Sequence, residues 1–236
     1  MVNEPIVHVQ SLGDSAVTVE LGETIDPAIN ARVIALAQAI ARQRWDGVLD
    51  VVPTYRSVTV HVDPLVLDIE VFSEQLRGLA LSLPHQIAAN GRLRRIPVLY
   101  GGEWGPDLDA LADYAQVSPH EVIRLHSAQI YRVYMLGFIP GFPYLGIVPL
   151  PLAMPRLATP RVLVPAGSVG IAGAQTGIYP TATPGGWRLI GRTPLSLYRP
   201  RHAEPFRLRA GDAVRFEPIE LEEFERLREG SNDYDA

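Results

Sequence analysis

Half of the glycines and nearly half of the prolines in this chain fall in one stretch: Gly137 to Pro194 holds 10 of the 20 glycines and 10 of the 21 prolines in 58 positions. Proline removes a backbone donor, and both residues weaken the interior of a helix or strand, so no long helix can run through that stretch. Short strands joined by fixed turns are what remains. From Gln129 onward the segments between breaks are apolar: IYRVYML, RVLVPA, VGIAG, WRLIG, PLSLYRP and AVRFEPI. They have the texture of an all-β barrel with long functional loops.

The first 85 or so residues follow a different rule, with strands and helices in regular order. Ile6 to Gln10 and Ala16 to Leu21 read as strands, the second alternating Val17, Val19 and Leu21 with Thr18 and Glu20. Asp26 can cap a helix that has Pro27 at its first position and Ile29, Val33, Leu36, Ala37 and Ile40 at helical spacing. Val48 to Val52 and Ser57 to Val62 resume strand patterning, and Asp68 to Leu83 is a second amphipathic helix closed by Pro84. The order ββαββα predicts a ferredoxin-like α+β sandwich, an antiparallel sheet with both helices on one face. Residues 1–88 are thus expected to form one domain and residues 89–236 another. AANGRLRR, residues 88–95, joins them as a linker whose arginines read as a solvated basic turn, three charges being a weak footprint for an anion site. Two short helices follow, Asp107 to Ala115 and Pro119 to Ser127, the second with Ser118 and Glu121 spaced as a capping box. The segment from Leu221 begins helical and ends in the polar SNDYDA, which is expected to fray.

Composition narrows the function classes. Charged residues make up 20% of the chain and the formal charge is −5, which fits neither a disordered acidic protein nor a general nucleic-acid binder. The absence of cysteine excludes disulfides, thiolate metal sites and cysteine nucleophiles and agrees with a reducing compartment. MVNEPIVHVQ lacks the layout of a secretory signal and no run of about 18 apolar residues offers a membrane span, so a cytoplasmic protein without membrane contact is expected.

Standard catalytic patterns mostly fail. GSVGIAG, Gly167 to Gly173, spaces its glycines three apart and lacks the Lys-Ser/Thr pair, so it is neither a dinucleotide fingerprint nor a P-loop. Ser168 sits in AGSVG with alanine where a nucleophile elbow has glycine, and it reads as a turn residue. His120 and His126 are six residues apart, which sends them to different helix faces and denies them a zinc pair; no metal is expected. Two dense blocks remain. In MLGFIPGFPYLG, glycines and prolines separate Phe138, Phe142 and Tyr144, and a loop with fixed turns can hold such rings outward at low entropic cost. Phe138 reads as core or surface; Phe142 and Tyr144, with Pro143 between them, read as a site or interface. From Ala166 to Pro200, Gln175, Thr176 and Tyr179 offer neutral hydrogen-bond groups, and Gly173 and Gly177 allow close approach of a ligand or another backbone. Arg188 and Arg192 supply planar donors suited to carboxylate or phosphate, or an ion pair inside the fold. Trp187 forms either a pocket wall or a buried anchor.

FIPGFPYLG, PAGSVGIAGAQTGIYP and TPGGWRLIGRTP closely resemble the family that contains the B subunit of the bacterial ATP-dependent 5-oxoprolinase (PxpB), the kinase inhibitor KipI and proteins labelled allophanate hydrolase subunit 1. GDSAVTVELG, IPVLYGGEWGPDLDALA and HEVIRLHSAQIYRVYMLGF are also similar to family segments, so the likeness spans nearly the whole chain. Ile147 departs from it, standing where a second glycine is expected after Gly146.

The resemblance implies a small α+β domain followed by a cyclophilin-like β-barrel. It also implies a heteromeric complex in which subunits A and C act with this chain to open the lactam of 5-oxo-L-proline to L-glutamate. ATP with Mg would be used by the complex, with no cofactor bound by this chain alone; phosphorylation of the lactam carbonyl oxygen is the step that would make a better electrophile. The alternatives within the family are an inhibitor that docks on a histidine kinase and an accessory subunit related to urea carboxylase. By analogy with the two-halved carboxyltransferase of urea carboxylase, His126, Tyr179 and Arg192 would be catalytic, with Gln175, Thr176, Gly177, Trp187 and Arg188 binding substrate. Phe138, Phe142, Pro143 and Tyr144 would meet the partner. His126 has two readings: an acid or base near neutral pH, or a cation at the C-terminus of its helix.

Overall fold

The computed structural model describes residues 7–84, 87 and 91–232, and two compact units divide the chain between residues 90 and 91.

In the first unit β1 (His8–Ser11) and β2 (Ala16–Glu20) precede helix α1 (Pro27–Gln43), and β3 (Val48–Pro53) and β4 (Ser57–Val62) precede helix α2 (Ile69–Ser82). The part of the first expected strand at Ile6 lies outside the described residues. The sheet is antiparallel in the order β1-β2-β4-β3. Period-two alternation does the sorting: Val17, Val19, Val58, Val60 and Val62 are buried on one face, while Thr18 and Thr59 meet on the other through a 2.9 Å hydroxyl hydrogen bond. Val33, Leu36 and Ile40 of α1 and Phe72, Leu76 and Ala80 of α2 join the same core, so both helices cover the valine face. Each helix begins where its sequence says. Asp26 accepts hydrogen bonds from the N–H groups of Ala28 and Ile29 with Pro27 at the first turn, and Asp68 accepts from Glu70 and Val71.

The second unit is a closed barrel of seven strands. These are β5 (Leu93–Tyr100), β6 (Tyr131–Leu136), β7 (Pro143–Gly146), β9 (Ser168–Ala172), β10 (Gln175–Ile178), β12 (Arg188–Arg192) and β13 (Ala213–Pro218). They run β10-β7-β6-β13-β5-β12-β9 around the wall, and β9 pairs with β10 to close it. All neighbours are antiparallel except β5 and β13, which pair in parallel from Leu93–Ala213 to Val98–Pro218. A separate ribbon of β8 (Arg161–Val164) and β11 (Thr183–Gly185) lies outside the ring. Ile96, Val98, Val133, Leu145, Val169, Ile171, Ile178, Ile190, Val214 and Phe216 fill the barrel core, joined by Leu108 and Leu111 of α3 (Leu108–Ala115) and Val122 of α4 (Pro119–Ala128). Helix α5 (Leu221–Asn232) packs by Phe224 on Trp104, ring centroids 4.6 Å apart.

Several local expectations change. The stretch expected to be a linker is already strand at Leu93, and its arginines are not a solvated turn. Arg92 reaches Asp212 with Nη2 at 3.2 Å, and Arg95 pairs with Glu217, because β13 brings those acids alongside β5. Residues 88–90 and 233–236, which include most of the tail expected to fray, lie outside the described residues. Ser118 accepts from the Glu121 N–H at 3.2 Å as a cap should, but the Glu121 carboxylate turns to Arg124, so the capping box is only half made. PLSLYRP is not a strand; Tyr198 makes one isolated bridge to Phe206. No helix among the described residues is long and apolar enough to cross a membrane.

Candidate functional site

Strand β10 decides where the candidate residues go. Side chains alternate along it, so Thr176 and Ile178 enter the barrel core while Gly177 and, just past its end, Tyr179 face outward. The residues singled out in the sequence are therefore divided between two sides of one wall.

Inside, His126 is fully buried and both ring nitrogens are engaged: Nδ1 lies 2.8 Å from the Tyr100 hydroxyl and Nε2 lies 3.0 Å from Thr176 Oγ1. Thr176 Oγ1 donates to the Gly170 carbonyl at 3.0 Å. Its proton being committed there, it accepts from His126 Nε2–H, and Nδ1 accepts from the Tyr100 O–H; this network assigns the tautomer. Burial lowers the His126 pKa to about 3 and pushes the Tyr100 phenol up. The ring stacks on Phe216 at 4.5 Å, and its backbone carbonyl accepts from the Tyr131 hydroxyl at 3.0 Å. His126 is thus a neutral hydrogen-bonded core residue, neither a titrating acid or base near neutral pH nor a cation at a helix end.

Outside, the two glycine- and proline-rich blocks meet. Phe142 is the hub: its ring lies 5.0 Å from Tyr144, 5.1 Å from Tyr179, 5.3 Å from Trp187 and 5.6 Å from Phe138, each pair edge to face. Phe142 is 1% exposed and Pro143 is also buried, so neither presents a surface, contrary to expectation; the ribbon residue Val164 and Leu189 of β12 cover the hub. Phe138 is the ring left outward, 62% exposed, on a residue with φ of 65°, and Tyr144 is half-buried. Gly177 makes room for this cluster and not for a ligand. A Cβ there would lie 2.9 Å from Phe142 Cζ, 2.9 Å from the Pro143 carbonyl oxygen and 3.0 Å from Trp187 Cζ3.

The polar groups here are Tyr179, Tyr144 and an ion pair that sequence reasoning missed. Arg161 of β8 donates to Asp107 Oδ1 at 2.8 Å and to the Trp187 carbonyl at 3.4 Å, while Asp107 Oδ2 accepts the Leu189 N–H at 2.6 Å. In the sequence Asp107 is only the start of α3, where it makes no side-chain cap. The GPD turn ahead of a helix explains it too easily, and nothing local marks a partner 54 residues away. Burial raises the phenols of Tyr144 and Tyr179, so both are neutral hydrogen-bonding groups; the Trp187 backbone N–H donates to the Tyr179 oxygen.

The remaining candidates stand apart. Arg192 donates to the Ala166 carbonyl at 2.7 Å and lies over the Trp104 ring at 5.3 Å, and burial lowers its pKa. Arg188 donates to the Pro155 carbonyl at 3.1 Å. Gln175 is half-buried and registers with Gly146 and Ala172. His126, Tyr179 and Arg192, the expected catalytic set, are held by three different groups of neighbours. The glycines of GSVGIAG lie largely in the barrel ladder, Gly170 opposite Gly177 and Leu189, so this segment forms strand and not a phosphate cradle. The arrangement offers binding: an aromatic platform, neutral phenols and one exposed ring.

A barrel of this sequence defines a class. Residues 7–208 match the model of the carboxyltransferase domain, subdomain C and D, and the chain belongs to that family. Within it, the chain is 43% identical to the 5-oxoprolinase B subunit of Bacillus subtilis (strain 168), over 95% of this chain and 98% of the relative. The crystal structure of TTHA0988 superposes with a TM-score of 0.77 at 41% identity, covering 87% of this chain but only 40% of that one. The Kluyveromyces lactis urea carboxylase shares the fold, with a TM-score of 0.79 at 21% identity over 98% of this chain and 23% of that one. The chain therefore spans nearly the full length of its curated relative and less than half of either solved chain.

Proposed function

We propose that this chain is the B subunit of an ATP-dependent 5-oxoprolinase, acting with subunits A and C to hydrolyse 5-oxo-L-proline to L-glutamate. The observation that carries the reading is the end-to-end identity with a 5-oxoprolinase B subunit. Hydrolysis adds water across the lactam C–N bond, leaving the new carboxylate and amine of glutamate. Amide resonance makes that step slow, and ATP used elsewhere in the complex supplies the driving force. This chain contributes a binding half-site. The Phe142-centred platform is too rigid to rearrange, Tyr144 and Tyr179 offer neutral hydrogen bonds, and Phe138 with the exposed Val162 and Leu163 of β8 gives a partner an apolar surface. In TTHA0988 and urea carboxylase the matched region is a minor part of a longer chain; the reading is that here the remainder arrives as separate subunits.

The test is glutamate formation from 5-oxoproline by the three purified subunits with ATP and Mg. Activity is expected only with this chain present, and Phe138→Ser is expected to weaken copurification with the partners at unchanged stability. Full turnover without this chain rejects the reading.

A further inference from the structure

The structure assigns a second ligand site, remote in sequence from the aromatic platform: a pocket for a phosphate ester between α5 and the loop that follows β12. A cavity of about 300 Å³ is lined by Leu195, Ser196, Arg199, Arg207, Arg226 and Leu227, with Gly230 at its edge. Three guanidiniums around one small space repel one another unless an anion lies among them. Two of them are weakly held from within. Among the described residues the Arg199 side chain makes no hydrogen bond or ion pair, and its Nε is buried without a partner. A buried donor left unmade is costly, and five donors in a planar fork suit a tetrahedral oxyanion. Arg226 reaches Glu223 at 3.5 Å, with side chains 70% and 48% exposed, a weak surface pair that an incoming dianion can replace. Arg207 is the anchored one: its Nε donates to the Ser196 carbonyl at 2.9 Å, which fixes its fork at the wall.

Size and lining separate a phosphate ester from a bare ion. A water molecule occupies about 30 Å³ in the liquid, so the cavity is several times larger than a phosphate needs. The surplus is bordered by Leu195 and Leu227, which suit an apolar or ring-shaped body. The phosphate would meet Arg199 and Arg226, with the organic part against the leucines. None of these residues belongs to the His126 network or the aromatic platform, so the inference stands or falls apart from the proposed oxoprolinase role.

The experiment is calorimetric titration of the full chain with phenyl phosphate, inorganic phosphate and sodium chloride at matched ionic strength. Saturable binding of phenyl phosphate is expected, at least tenfold tighter than inorganic phosphate, a difference of about 1.4 kcal/mol. Arg199→Leu and Arg226→Gln are each expected to weaken it about tenfold. Arg226 sits on an exposed helix face, so its variant folds whatever becomes of Arg199→Leu. Heat no greater than that of sodium chloride, unchanged affinity in Arg226→Gln, or equal affinity for the two phosphates overturns the proposal.

Discussion

His126 ends α4 with its ring sealed between Phe216 and Thr176, and that setting fixes its proton chemistry. An exposed imidazole titrates near 6.5, whereas burial lowers this one to about 3. In the folded chain it stays neutral where the unfolded chain would already bind a proton. Its contribution to stability is therefore complete above about pH 6.5 and is lost as pH falls towards 3, at about 1.4 kcal/mol per pH unit within that window. His126→Gln removes the titration. Urea melts from pH 7 to pH 4 are expected to show a shallower acid limb for the variant, which is less stable at pH 7. Phe138 poses the opposite case, a ring kept outside at a cost. Its φ of 65° is a left-handed conformation that costs a non-glycine residue about 1 to 2 kcal/mol, with no burial to offset it. Phe138→Gly should leave stability equal or raise it by up to about 1 kcal/mol while weakening subunit association, which melts and copurification together would establish.

At the scale of elements, β10 shows what alternation can and cannot reveal. AQTGIYP is a run of polar and small residues that suits a ligand, but the strand sends Thr176 to the core and leaves Gly177 under Phe142 and Trp187. Gly177→Ala separates the two meanings of that glycine. Alanine would gain backbone entropy, about 0.5 to 1 kcal/mol, yet its Cβ meets three atoms at or within 3.0 Å. Overpacking of this kind costs about 1 to 3 kcal/mol, so the variant is expected to melt earlier. A stability unchanged beside a lost activity would instead mark a ligand contact. The first unit is legible because its signals are local: Asp26 before Pro27, Asp68 before an apolar helix face, valines at every second position. The second is legible as short strands only. Its closure depends on β13 lying beside β5, as Leu93 with Ala213, and no window of sequence carries a pairing over that distance. Phe142 and Pro143 mislead for a related reason. Turn residues on both sides describe how the loop bends, but burial is imposed by the ribbon strand β8 and by Leu189, which come later in the chain.

For the whole molecule, the two hydrophobic clusters are assembled from separate residues, Val17 to Ala80 in one and Ile96 to Phe216 in the other, on either side of the division at residue 90. Each contains at least a dozen buried apolar side chains, and a full burial contributes about 1.5 to 3 kcal/mol, so either unit has a core sufficient for cooperative unfolding by itself. Calorimetry is accordingly expected to resolve two transitions. Val60→Ala removes two methyl groups from a fully buried site in the first core, and Val133→Ala does the same in the barrel. Each deletion costs about 1 to 3 kcal/mol, and the expected result is that Val60→Ala lowers only one midpoint and Val133→Ala only the other. A single transition moved equally by both would mean that the units unfold as one. Two independent transitions would instead allow partner subunits to stabilise one half alone, and the half whose midpoint rises when the partners are added would then identify which unit carries the interface.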